Sequence, residues 1–280
     1  MSLSDSQKFC ADRVRRLDPD RYLSSLFAPD ETRPALLALY AFNLEIATIG
    51  DNVSETLIGQ MRLQWWRDAL VKLTAGDDVG HGLCLALAEA MKIKGLPAEL
   101  LHRMIDCREF DLGDRSPANM AEIEIYLEET TVSLMTLAIA VLGKARAPDD
   151  DLTRHAGMAM GLTGLIRMIP HNARHGRVLL PEDLMAEEGE TREPILAGHT
   201  HAGHGRIIKL ISERVREHIQ GVRNIGPRRP ELVAILPLSL AEDYLNRLTR
   251  ADFNPFAPGL EPGRFMRQIR LTRAAWRGRV

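Results

Sequence analysis

Hydrophobic residues recur every three or four positions along most of this chain, which is the spacing of one face of an α-helix. In residues 34–53, for example, Leu37, Tyr40 and Leu44 fall on a single face. No stretch alternates with a period of two, and no Asn-Gly turn marks a hairpin. Similar helical stretches occupy residues 54–76, 97–115, 120–143, 149–169, 205–222 and 228–250. The pattern therefore predicts an all-α protein with about eight to eleven helices.

Local signals predict where several of these helices begin and end. Ser54 is a predicted N-cap, and Gly76 is predicted to follow the end of the same helix. Pro170 is predicted to end its helix just before His171, because proline lacks the N–H that the helical hydrogen bond needs.

Two irregular stretches, 172–203 and 254–263, interrupt the helical pattern, but neither has the composition of a linker, and no internal repeat is apparent. We therefore expect residues 1–280 to form a single domain. The apolar runs fall short of the roughly 18 residues that span a membrane, and the N-terminus lacks the hydrophobic segment of a signal peptide. These features predict a soluble, cytoplasmic protein.

The composition is that of an ordinary globular protein, with 45% hydrophobic and 26% charged residues. The formal net charge of −2 gives no indication of a nucleic-acid partner. The three cysteines, Cys10, Cys84 and Cys107, lie far apart, which favours a reducing compartment and argues against a cysteine-based zinc site.

Asp51 and Glu55 are the first residues with the spacing of a chemical site. They lie four positions apart, which places two carboxylates on one face of a helix. Such a pair can hold Mg²⁺, a hard cation that prefers oxygen ligands. On spacing alone, a solvated acidic helix end is the favoured interpretation.

The second candidate is the stretch RMIPHNARHGRVLLP, residues 167–181, in which His171 and His175 are four positions apart. The stretch lacks the HExxH order of a helical zinc site, so no metal is expected there. Its candidate anion ligands are Arg167, Arg174 and Arg177. These arginines could equally cap helix ends or pair with nearby acids, and this structural role is somewhat favoured.

A third candidate, GHTHAGHG at residues 198–205, contains three histidines in a glycine-rich loop. Because no acid or cysteine lies nearby in the sequence, a surface turn is favoured over a set of metal ligands.

The fourth candidate is the C-terminus, where residues 263–278 are predicted to form a basic amphipathic helix. One predicted stripe contains Phe265, Ile269, Thr272 and Trp276. The arginines broadly opposite it are Arg267, Arg270 and Arg277. This pattern suits an anionic membrane surface or an acidic partner. A last helix with its aromatic residues packed on the core and its arginines in water is an equal alternative.

Several longer motifs together resemble the squalene/phytoene synthase family. They are YLSSLFAPDETRPALLALYAF (22–42), QWWRDAL (64–70), GLIRMIPHNARHGRVLLPEDL (164–184) and DYLNRL (243–248), and they occur in the family's order. The resemblance covers most of the chain. It implies the all-α isoprenoid synthase fold, in which a central cavity binds prenyl diphosphates through Mg²⁺ held by two facing aspartate-rich motifs.

The chain departs from the family at both of these motifs. The resemblance implies Asp-x-x-x-Asp after LYAF, but this chain has Ala47 and Asp51 at those positions. It also implies Asp-x-x-Glu-Asp before the GR pair, where this chain has Met168, His171 and Asn172. Three of the four motif aspartates are therefore missing, so the ordinary magnesium-dependent reaction is not expected.

Other positions of the family's pocket are expected to remain. The residual pocket or anion-binding candidates are Arg33, Tyr40, Asp51, Glu55, Arg167, Arg174, Arg177 and Tyr244. Where the resemblance implies small residues that make room for prenyl chains, this chain has Val132 and Met135. These bulkier side chains are predicted to narrow the cavity.

Further segments resemble a non-catalytic branch of the family that supports assembly of respiratory complex I. They are AFNLE (41–45), DNVSE (51–55), IGQMRLQWW (58–66) and ADFNPFAP (251–258). The branch implies a pseudoenzyme whose partner is a complex I subunit or assembly intermediate, and which lies in the cytoplasm or peripherally on the inner membrane. No cofactor is then expected.

Two alternatives remain open from the sequence. One is an active head-to-head prenyltransferase, or another enzyme of prenyl diphosphates, which would require Mg²⁺. The other is a protein that binds a prenyl lipid or quinone and retains the cavity without the chemistry.

Overall fold

The structure is a computed structural model that describes residues 2–143 and 150–280. Its helices are α1 (Leu3–Leu17), α2 (Pro19–Ser25), α3 (Arg33–Ala47), α4 (Thr56–Ala75), α5 (Cys84–Lys94), α6 (Ala98–Cys107), α7 (Met120–Leu127), α8 (Ser133–Leu142), α9 (Asp151–Arg174), α10 (Glu182–Glu187), α11 (Glu193–Leu196), α12 (Ala202–Ile225), α13 (Arg229–Ile235), α14 (Leu238–Arg250) and α15 (Arg264–Arg277). No strand occurs within these residues, which confirms the predicted all-α class.

There are more helices than expected because several predicted segments are divided. A 3₁₀ turn, Arg108–Leu112, follows α6, and a π-helical turn, Glu128–Val132, joins α7 to α8. A break at Pro237 separates α13 from α14. The irregular stretch 172–203 contains the short helices α10 and α11.

The centre of the molecule is apolar and surrounds α8. Every residue of α8, Ser133–Leu142, is buried. Met120–Leu142 is long and apolar enough to cross a membrane by length and composition, contrary to the sequence-based expectation for apolar runs. However, 72% of its most apolar window lies inside the molecule, as in the core helix of a globular fold.

Two glycines allow α9 to approach the π-helical turn closely. A Cβ atom at Gly157 would lie 2.5 Å from the Cα of Val132, and one at Gly161 would meet the side chains of Leu127 and Thr131. The contact leaves no space for a larger side chain. It fixes the π-helical turn against the middle of α9.

The prediction that Pro170 ends its helix is wrong, because α9 continues to Arg174. Proline removes one hydrogen bond from a helix but leaves the later ones available. The last turn is then held by other contacts: the N–H groups of His175 and Arg177 both donate to the carbonyl of Asn172, each at 2.9 Å.

The ends of α4 are partly as predicted. Gly76 follows α4 in the left-handed conformation, with φ of 90°, which confirms the predicted stop. The N-cap is Glu55 rather than Ser54. Asp51 belongs to a separate 3₁₀ turn, Gly50–Asn52, so the expectation that Asp51 and Glu55 share one helical face is wrong.

The predicted C-terminal helix is present as α15, but its orientation differs from the core-packed alternative. Leu271 and Ala274 are its buried apolar residues, whereas Phe265 and Trp276 are exposed. The aromatic side chains therefore point away from the core.

Candidate functional site

A cavity of about 460 Å³ lies among α3, α9, the π-helical turn and α15. Its wall carries five carboxylates and five guanidinium groups. The acids are Asp18, Asp20, Asp51, Asp111 and Glu261, and the arginines are Arg21, Arg108, Arg167, Arg177 and Arg267. Formal charges in the wall therefore balance, and each of the five acids forms an ion pair with one or two of these arginines.

Asp51 has both carboxylate oxygens engaged. Oδ1 pairs with the Arg177 guanidinium, and Oδ2 lies 2.9 Å from Nε2 of His171. Because a carboxylate only accepts, this nitrogen of His171 carries the proton. Burial alone would raise the pKa of Asp51, but the hydrogen bond from His171 and the charge of Arg177 lower it overall. Asp51 is held ionised by protein groups alone.

Asp51, His171 and His175 place their ligand atoms within 4.8 Å of one another, close enough for a metal site. The guanidinium of Arg177 on Asp51 opposes a cation there by like-charge repulsion. His175 instead donates from Nδ1 to the carbonyl of His171 at 2.9 Å. The structure therefore assigns hydrogen bonds to all three side chains.

On the opposite wall, Asp20 joins α2 to α9 and α15. Its carboxylate lies 3.2 Å from Arg167 and 2.6 Å from Arg267. Glu261 binds the same two arginines, with Oε1 2.7 Å from Nε of Arg167. Burial raises the pKa of Asp20 and outweighs the two arginines, which lower it.

A third network lies on the 3₁₀ turn after α6. The Tyr126 hydroxyl donates to Asp111 at 2.9 Å, and Arg108 pairs with the same carboxylate at 3.1 Å. Burial raises the pKa of Tyr126, so the phenol remains protonated. The Arg177 guanidinium donates to the carbonyl of Asp111 at 2.8 Å, which connects this network to Asp51.

The structure brings most of the predicted motif positions together in the cavity. The wall includes Ala47, Asp51, Arg167, Met168, Asn172 and Arg177. Other predicted pocket residues lie outside it. Arg33 donates to carbonyls at the end of α2, and Glu55 and Arg174 are exposed. Tyr40 and Tyr244 are buried behind the wall, where they face Arg21 and Arg167 respectively.

The prediction that Val132 and Met135 narrow the cavity is not supported, because neither lines it. Val132 is buried against α9 at Gly157, and Met135 is buried in α8. Leu127 and Thr131 supply the wall on this side. The π-helical turn shifts which residues face the cavity, and this cannot be read from an α-helical period.

Several wall residues were missed by the sequence reasoning. Asp18 and Asp20 flank a proline at the start of α2, and Arg108 precedes Asp111 by three positions. The i,i+3 spacing of the opposite charges of Arg108 and Asp111 was a weak local signal for this pair. The long-range partners Glu261 and Arg267 gave no such signal.

The expectation of a surface turn at residues 198–205 is wrong for His204, which is fully buried. Glu190 supplies the acid that the local sequence lacks, with Oε2 3.3 Å from Nδ1 of His204 and 3.1 Å from Nδ1 of His201. His204 also lies 2.9 Å from the carbonyl of Thr191, and the Gly203 N–H donates to Glu190 at 2.9 Å. These hydrogen bonds close the N-terminus of α12.

Comparison with known proteins agrees with this architecture. The squalene/phytoene synthase family model matches residues 14–277. Rat NADH dehydrogenase (ubiquinone) complex I, assembly factor 6, is 32% identical over 279 residues, which cover 99% of this chain and 84% of the rat protein. The presqualene diphosphate synthase of Rhodopseudomonas palustris is 24% identical over 228 residues, 81% of each chain.

A solved structure of a dehydrosqualene synthase has the same fold, with a TM-score of 0.84 at 15% identity, covering 98% of this chain and 96% of that one. The family match and the full-length similarity to the rat protein confirm the resemblance seen in the sequence motifs. The chain belongs to the squalene/phytoene synthase family.

Proposed function

We propose that this protein is a non-catalytic member of its family that supports the assembly of respiratory complex I by binding a subunit or assembly intermediate. The observation that carries the proposal is the cavity in which every wall carboxylate is paired with arginine. The full-length similarity to rat complex I assembly factor 6 supports the biological role.

The cavity does not fit the magnesium site that the family implies. Ala47 and Met168 carry no ligand atom, Asn172 carries no charge, and both oxygens of Asp51 are engaged. Ionisation of an allylic diphosphate requires stabilisation of the developing negative charge, and losing one such electrostatic group costs roughly 10²- to 10³-fold in rate. The loss of three carboxylates therefore removes the basis for turnover.

The test is incubation with farnesyl or geranylgeranyl diphosphate and Mg²⁺. We expect no pyrophosphate release above that of a heat-denatured sample. A turnover number of about 1 s⁻¹ or more, the ordinary range for enzymes, would establish the prenyltransferase alternative. The triple variant Ala47→Asp, Met168→Asp, Asn172→Asp is the matched comparison, in which we expect Mg²⁺-dependent diphosphate binding to appear.

The N-terminal half of α4 offers a surface for a protein partner. Leu57, Met61 and Trp65 are 63%, 65% and 41% exposed and follow one face of the helix, with Ile58 beside them. These side chains carry no charge, and an exposed apolar patch of this kind is typical of the centre of a protein interface. The same segment, IGQMRLQWW, resembles the assembly branch of the family.

Introducing a negative charge into this surface tests the assembly role in the host. We expect Met61→Asp to lower NADH:quinone oxidoreductase activity towards the level of a gene deletion, because a buried interface does not accommodate an unpaired carboxylate. Val71→Asp is the control, since Val71 is 61% exposed near the other end of the same helix. Unchanged activity in the deletion strain would refute the assembly role.

The cavity also supports a second candidate, binding of a prenyl lipid or quinone without chemistry. Apolar side chains contribute to its wall, among them Leu127, Met160 and Leu179. Mass spectrometry of lipids extracted from the purified native protein tests this candidate. A stoichiometric isoprenoid would support it, and a lipid-free protein would exclude it.

A further inference from the structure

The last helix presents an apolar ridge to solvent. Phe265, Ile269 and Trp276 are 74%, 41% and 82% exposed. At about 100° per residue these three side chains lie within one narrow sector of α15. Leu271 and Ala274, the buried residues of the same helix, lie on the opposite side.

The inner side of α15 is firmly attached to the rest of the protein. The exposure of the ridge is therefore not the result of a detached helix. Arg267 pairs with Asp20 at 2.6 Å, and Arg270 pairs with Asp243. Leu271 and Ala274 pack with the leucines of α13 and α14. Both arginines are thus engaged by carboxylates of the protein: Arg267 is 14% exposed and Arg270 38% exposed.

Arg277, which the sequence also assigned to this surface, and Arg273 lie beside the ridge. Arg273 and Arg277 are exposed and flank it on one side, together with Met266. Within the part of the chain that the structure describes, neither arginine forms an ion pair, and α15 contains no acidic residue. Both arginines line a groove of about 760 Å³ between α15 and the end of α12, which also includes Arg279.

We propose that α15 docks the protein on an anionic bilayer, lying in the plane of the interface. Phe265, Ile269 and Trp276 enter the boundary between headgroups and acyl chains, while Arg273 and Arg277 contact lipid phosphates. A helix with an apolar stripe and a basic flank is suited to this position. The inference stands independently of the assembly role.

The exposure of the surface favours a bilayer over an acidic protein. Phe265 and Trp276, near the two ends of the ridge, are its most exposed side chains, at 74% and 82%. A protein partner would need a matching groove with buried carboxylates, whereas a fluid lipid surface accommodates a protruding ridge and supplies phosphates along its flank. Aromatic side chains are also preferred at the membrane interface.

The experiment is co-sedimentation of the full chain with vesicles of phosphatidylcholine containing phosphatidylglycerol, compared with phosphatidylcholine alone. We expect binding to the anionic vesicles that weakens as salt screens the arginines. Phe265→Ser with Trp276→Ser should weaken binding at least tenfold. Arg273→Gln with Arg277→Gln should weaken it about fivefold for each arginine.

Two controls make the result specific to α15. Ile93→Ser removes an apolar side chain that is 63% exposed on α5, and Arg174→Gln removes an exposed arginine at the end of α9. Both controls should bind as the wild type does. Failure of the wild type to bind anionic vesicles would overturn the proposal, as would undiminished binding by the Phe265/Trp276 variant. If the wild type does not bind vesicles but the Phe265/Trp276 variant lowers complex I activity in the host, the ridge binds a protein and the proposal fails.

Discussion

Replacing Arg177 by methionine would remove the positive charge that neutralises Asp51 while retaining most of the side-chain volume. The variant loses the ion pair with Asp51 and the hydrogen bond to the carbonyl of Asp111. The Arg177 and Asp51 side chains are 13% and 21% exposed, so the pair is neither fully buried nor on the open surface. Breaking a buried pair costs about 3–5 kcal/mol, and an exposed pair contributes about 0.2–1 kcal/mol.

We therefore expect Arg177→Met to lower the free energy of unfolding by about 2 kcal/mol, since His171 still donates to Asp51. Urea denaturation measures this value. The double variant with Asp51→Asn should recover part of the loss, with a coupling energy of about 1 kcal/mol. Arg174→Met is the control, because Arg174 is exposed three positions away, and it should change stability by less than about 0.5 kcal/mol. Equal effects of the two arginine variants would refute the reasoning.

Further predictions concern the interface of α9 with its neighbours. Burial, reinforced by nearby His155, lowers the pKa of His218 to about 4. As the pH falls, His218 is protonated near pH 6.5 in the unfolded chain but only near pH 4 in the folded protein. The free energy of unfolding should therefore fall by about 1 kcal/mol between pH 6.5 and 4, a value reduced to allow for the partial exposure of the side chain. His218→Gln should remove that loss in denaturation measurements across this range, and an unchanged pH dependence would count against the assignment. Gly157→Ala should cost about 2 kcal/mol or more, because its Cβ would meet the backbone of Val132. Gly164→Ala, with open space around the new methyl group, should instead raise the thermal midpoint through helix propensity, and a matching loss in both variants would contradict the packing argument.

The sequence predicted the fold class because the helical period persists through almost every segment of the chain. Its errors occurred where a local signal competed with tertiary contacts. Pro170 has the signal of a helix end, yet α9 continues to Arg174. Buried neighbouring residues and the hydrogen bonds to the carbonyl of Asn172 stabilise this last turn. The π-helical turn at Glu128–Val132 has no comparable sequence signal. Because of this turn, Val132 and Met135 do not line the cavity wall as predicted.

The motif positions of the candidate site were predictable because they lie close together in sequence on known motifs. The ion pairs that these residues form could not be predicted in the same way. The Arg177–Asp51 contact joins residues 126 positions apart, and the Arg267–Asp20 contact joins residues 247 positions apart. No periodicity connects such positions, and a long arginine side chain can reach partners on several elements.

These distant pairs also bear on whether the cavity can bind diphosphate or Mg²⁺. A site for diphosphate must keep cationic groups free for the ligand, and a site for Mg²⁺ must keep carboxylates free for the metal. In this cavity the five arginines and five acids of the wall pair with one another. A ligand of either charge would have to break existing pairs before it gained new ones, and leaving the displaced partner buried is itself unfavourable. The pairing in the cavity wall therefore disfavours charged ligands there, in agreement with the partner surfaces proposed on α4 and α15.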